Sequence, residues 1–161
     1  MAVVAIGEAR TTADVDVVAF LSDEEGEQLI QKARNLGFEV DPDIELERLR
    51  TTGTLRVRRG PFQLDIILAS LPFEEEAYRR ASRHRIFGCP VLLPSPEDLI
   101  LFKVLAGRDK DLLDAVGVAR RHAKRIDWAY VESVLRTLCD LAEDMTPWRH
   151  LEEVRAKAAK K

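Results

Sequence analysis

The stretch "GEARTTADVDVVAF", Gly7 to Phe20, sets two aspartates, Asp14 and Asp16, at alternate positions of an apolar run. Successive side chains of a strand point to opposite faces, so Val15 and Val17 project to one side and the two carboxylates to the other, their Cα atoms about 7 Å apart. Two carboxylates on one face repel unless a cation lies between them. A divalent metal is the simplest such cation, since Mg²⁺ is hard, takes oxygen ligands and keeps positions open for phosphate and water. The plainer alternative is an edge strand with a solvated acidic face, and an isolated Asp-x-Asp favours it.

A third carboxylate shifts the balance. Asp65 sits within "FQLDIILAS" beside Ile66, Ile67 and Leu68, a run too apolar for a wholly exposed strand, so a charge there calls for a counter-ion. With that strand beside the first, three carboxylates converge on one point. Such a cluster suits two metals, about 3.5–4 Å apart, bracketing an in-line phosphoryl displacement.

Outward from these strands, the chain alternates. Residues 2–8 are too short to assign. Ser22 caps a helix to about Leu36, with acids in its first turn and Gly37 at its end. A short helix follows Pro42, and "TLRVRR" and "FQLDIILAS" form a hairpin about Gly60-Pro61. "LPFEEEAYRRAS" reads as helix, "CPVLLPS" as a short strand, and "SPEDLILFKVLAG" as a helix with Ser95 at the N-cap and Pro96 at its first position. Helical spacing of apolar residues then continues to the C-terminus. The expected fold is α/β: a mixed, mostly antiparallel sheet flanked by helices over residues 1–106, and a helical extension over 107–161.

The chain has 161 residues, 46% of them hydrophobic, and a mean hydropathy of -0.18, which reads as a soluble domain with a real core. No apolar run approaches the roughly 20 residues of a membrane span and no secretion signal opens the chain, so the expected location is the cytoplasm. Cys89 and Cys139 lack metal or disulfide spacing and read as small packing residues. His84, His122 and His150 make no metal pattern, and Trp128 and Trp148 read as packing residues. The net charge of -3 conceals a gradient: residues 1–47 hold twelve acids and three bases, whereas 48–85 hold nine arginines and no lysine. The arginine-rich part could hold phosphate, although each arginine taken singly fits a solvated face.

Gly7, Arg10, Thr12, Asp14 and Asp16, the lone Asp65, "SPEDLILFK" ending at Lys103, and "KDLLD" with Asp111 and Asp114 together resemble the nucleotidyltransferase superfamily with the polymerase-beta-like fold, and within it the AbiEii-type toxins and minimal nucleotidyltransferases. The resemblance spans about residues 1–120. It implies that Asp14 and Asp16 bind two Mg²⁺ or Mn²⁺ ions and that Asp65 binds the ion nearest the acceptor and helps deprotonate its hydroxyl, which attacks the α-phosphorus of an NTP and expels pyrophosphate. These three are the expected catalytic and metal-binding residues. Arg10, Thr12, Lys103 and Asp111 are the expected nucleotide-binding residues.

Read from the residues alone, each of those four has a second reading. Arg10 braces the acidic strand or contacts phosphate; Thr12 bonds locally within a turn. Lys103 enters the cleft or snorkels at the surface, and Asp111 holds a cation or answers a helix dipole. The family's Gly-Gly or Gly-Ser turn would fall just before Ala2, so the expectation is a natural start upstream of Met1. The acceptor is an RNA end, a protein side chain, as in toxin–antitoxin pairs, or a small molecule. The alternative is a catalytically silent member of the fold acting as a binding partner or antitoxin.

Overall fold

A computed structural model describes residues 14–86 and 88–160, the side chains of Asp14 and Asp23 excepted. Residues 2–8, Arg10 and Thr12 lie outside the described residues. The protein is α/β, with five strands and seven helices among the described residues: β1 (Asp14–Ala19), α1 (Asp23–Asn35), α2 (Pro42–Thr52), β2 (Thr54–Arg59), β3 (Phe62–Leu68), α3 (Pro72–Arg80), β4 (Ser82–Ile86), β5 (Cys89–Leu93), α4 (Pro96–Ala106), α5 (Asp109–Arg121), α6 (Trp128–Ala142) and α7 (Thr146–Ala159). They fall into two units, residues 14–75 and 76–160.

In the first unit the strand order is β1-β3-β2, with β1 parallel and β2 antiparallel to β3. The β2–β3 turn is the expected two-residue one: Arg59 pairs with Phe62, and Gly60 takes φ 57°, a conformation glycine adopts without a Cβ penalty. Alternation puts Leu55, Val57 and Ile66 on one face, where they form a core with Ile30 and Ala33 of α1 and Leu49 of α2. The helices approach closely at Gly26, where a Cβ would lie 2.6 Å from Leu49 Cδ2. Ser22 and Glu25 form a capping box on α1, and Asp41 caps α2. Along the outer edge of β2, Glu39 bridges to Arg58, and the buried Glu45 accepts the Arg56 backbone N–H at 2.7 Å. An edge donor that would otherwise invite another strand is thereby closed.

In the second unit α4 is apolar all round, burying Leu99, Ile100, Leu101 and Val104, and such a helix needs cover on every side. Its packing partners include α5, α6 and α7, which bring Leu112, Ala115, Val116, Val118, Val131, Leu135, Leu151 and Val154 into the core. Gly107 ends α4 at φ 66°, and a Cβ there would meet His150 Cε1 at 2.7 Å. The hairpin β4–β5 contains a strand the sequence did not reveal. Ser82 to Arg85 are all exposed, so no apolar alternation betrays β4. Cys139 is buried as expected, whereas Cys89 lies exposed in that hairpin. Among the described residues no helix is long and apolar enough to cross a membrane.

Candidate metal and phosphate site

Asp16 and Asp65 are register partners on parallel neighbouring strands, and Asp65 is in turn the partner of Arg56 on β2. Paired positions share a face, so the three residues form one row across the sheet, on strands about 4.8 Å apart. This face is opposite the one that carries Leu55, Val57 and Ile66. Asp14 stands at the register position of Gln63, two residues before Asp16; its side chain lies outside the described residues.

The counter-ion expected for Asp65 is present in the chain. Arg56 Nε donates to Asp65 Oδ1 at 2.7 Å and Nη2 to Oδ2 at 2.9 Å, the two-pronged arrangement that guanidinium geometry favours. Gln63 Nε2 adds a third donor to Oδ2 at 3.1 Å, while its own carbonyl accepts from Arg58 Nε and Nη2. Asp65 is thus held in orientation, with 19% of its side chain exposed, and Asp16 beside it is exposed. Among the described residues no group of three His, Cys, Asp or Glu side chains could hold a metal. The two described carboxylates are hard oxygen donors on one face, and their chemistry suits Mg²⁺ or Mn²⁺. At Asp65 such an ion would have to share or displace Arg56.

Lys103 and Asp111 meet in the second unit. Lys103 Nζ lies 2.6 Å from Asp111 Oδ1 and 3.3 Å from Asp114 Oδ2, and Arg108 Nε donates to the other Asp111 oxygen. Asp111 is fully buried and Lys103 is 13% exposed, so the lysine is no snorkelling surface residue. Burial by itself would raise the Asp111 pKa; the hydrogen bonds and charges of Arg108 and Lys103 outweigh it and hold the carboxyl below its ordinary value.

The buried carboxylate of Asp98 was not anticipated. Asp98, with no exposed surface, accepts Tyr130 Oη at 2.7 Å, Ser95 Oγ at 2.6 Å and Arg80 Nε at 3.1 Å, and the Arg80 guanidinium lies 3.9 Å from the Tyr130 ring centroid. Burial, followed by the bond to Asp98, pushes the Tyr130 hydroxyl pKa far up. Beside it, Glu97 accepts the Asp127 backbone N–H at 3.1 Å. The sequence held a signal, since Ser95-x-x-Asp98 has the spacing at which an N-cap meets the third helical residue.

A scan against protein-family models and a search of curated proteins find no match to this chain.

Proposed function

We propose that the sheet face bearing Asp14, Asp16 and Asp65 is the site of a Mg²⁺- or Mn²⁺-dependent transfer of a nucleoside monophosphate from an NTP to a hydroxyl, in the manner of the nucleotidyltransferases that the motifs resemble. The observation that carries this reading is the register of Asp16 with Asp65 on neighbouring parallel strands, which gives two separately encoded carboxylates one location. Asp14, Asp16 and Asp65 would hold the metal. When bound, it supplies charge neutralisation at the phosphates and a more acidic acceptor hydroxyl.

The chain's own residues do the positioning. Arg56 and Gln63 set the plane of the Asp65 carboxylate, and one of its oxygens is the proposed acceptor of the hydroxyl proton. Arg10 and Thr12 are proposed to contact the nucleotide. Lys103 and Asp111, the other residues expected at the nucleotide, pair with one another within the second unit. The location proposed is the cytoplasm, and the acceptor an RNA end, a protein side chain or a small molecule. Incubation with each labelled NTP, Mg²⁺ and pools of RNA or lysate protein tests the reading: label transfer that disappears in Asp16→Asn supports it, and no transfer by the wild-type protein counts against it.

One observation favours a silent binding partner or antitoxin instead. Arg56 already neutralises Asp65 within the chain, as a purely structural cross-strand pair would. That reading expects neither label transfer nor any stabilisation by metal.

A further inference from the structure

The turn after α5 reads "RRHAKR", residues 120–125: four permanent cations and no acid within six residues, in a chain of net charge -3. These residues line an open concavity of about 460 Å³. Arg120 Nη2 donates to the backbone carbonyls of Lys157 at 3.1 Å and Lys160 at 3.2 Å, which fixes the basic end of α7 against the turn.

Stabilisation of helix ends accounts for part of this cluster. Arg120 and Arg121 occupy the last turn of α5, where cations suit the dipole, and Arg120 satisfies carbonyls at the end of α7. Lys157 is committed to Glu153 at 2.5 Å, and Arg155 to Glu132. Lys124 and Arg125 lie beyond the end of α5 and are exposed, with no carboxylate within ion-pair distance among the described residues. Neither helix termini nor ion pairs explain these two.

We infer that this concavity binds the phosphate backbone of single-stranded RNA. Arginine and lysine around an open depression match a run of phosphates, with arginine able to engage two oxygens at once. A membrane surface fits less well, because the only apolar side chain in the turn is that of Ala123 and interfacial binding draws on apolar insertion.

The test is fluorescence anisotropy of labelled oligouridylate with the full chain, alongside vesicles containing phosphatidylserine and poly-glutamate as competitors. Contact by Lys124 and Arg125 predicts a salt slope of about -1.4, hence an affinity loss of roughly sevenfold from 50 to 200 mM salt. Lys124→Glu with Arg125→Glu should weaken binding about tenfold or more. Lys124→Arg with Arg125→Lys, of equal charge, should retain it, and Asp16→Asn should bind like the wild type, which separates this inference from the fate of the metal site. Unchanged binding by the charge-reversed variant, no saturable binding of RNA, or equal preference for vesicles or poly-glutamate would overturn the inference.

Discussion

Asp16 and Asp65 face each other across one strand spacing, and only Asp65 has its charge answered by Arg56. Adjacent like charges destabilise a sheet. In EDTA, Asp16→Asn is therefore expected to leave the melting temperature unchanged or raise it, whereas Asp65→Asn, which takes the acceptor from Arg56 and Gln63, should cost about 1 kcal/mol at this partly exposed position. Thermal melts of both variants check this; a clear fall for Asp16→Asn would mean that Asp16 holds the fold, and its role as a ligand would have to be withdrawn. The place of Arg56 was legible by counting. A turn at residues 60 and 61 pairs 59 with 62, and so 56 with 65. It was missed because each arginine of the basic segment, taken alone, fits a solvated face, and only the partner strand distinguishes Arg56 from Arg50, which makes a surface pair with Glu27.

At the level of elements, the helices after Ser22 and Ser95 were readable because both residues cap as their side-chain chemistry implies. The strand β4 was not, since its stability comes from pairing with β5 and not from an apolar face. Ser95 does more than cap α4, because its hydroxyl also donates to the buried Asp98. Ser95→Ala should therefore reach the upper end of the cap range, about 2 kcal/mol by urea denaturation, and a loss below about 0.5 kcal/mol would contradict the lock described here. The Lys103–Asp111 pair binds α4 to α5, and Asp111→Asn leaves Lys103, only 13% exposed, short of a partner at a cost of about 3 kcal/mol. Its pH dependence has a definite sign. The folded-state pKa of Asp111 is depressed, so its contribution is complete above the unfolded value of about 3.9 and is lost as pH falls through the lower folded value. Denaturation midpoints between pH 3 and 7 should accordingly fall less steeply on the acid side in Asp111→Asn than in the wild type.

On the scale of the whole chain, the α/β order was legible, whereas an all-round apolar helix such as α4 gives no hint of which neighbours will cover it. The metal-site proposal belongs to the first unit, whose core cluster comprises Ile30, Ala33, Leu49, Leu55, Val57 and Ile66. A ligand of the folded state has a visible effect: saturation a hundredfold above Kd stabilises by about 2.7 kcal/mol, and each kcal/mol moves the melting temperature of a chain this size by about 2–4 °C. The most direct measurement is a Mn²⁺ titration followed by electron paramagnetic resonance, with melts on the same samples, for the wild type, Asp16→Asn and Asp65→Asn. Saturable binding by the wild type with a rise in melting temperature is expected, and loss of both in either variant. No saturable binding at millimolar metal, or binding that survives Asp16→Asn undiminished, would contradict it.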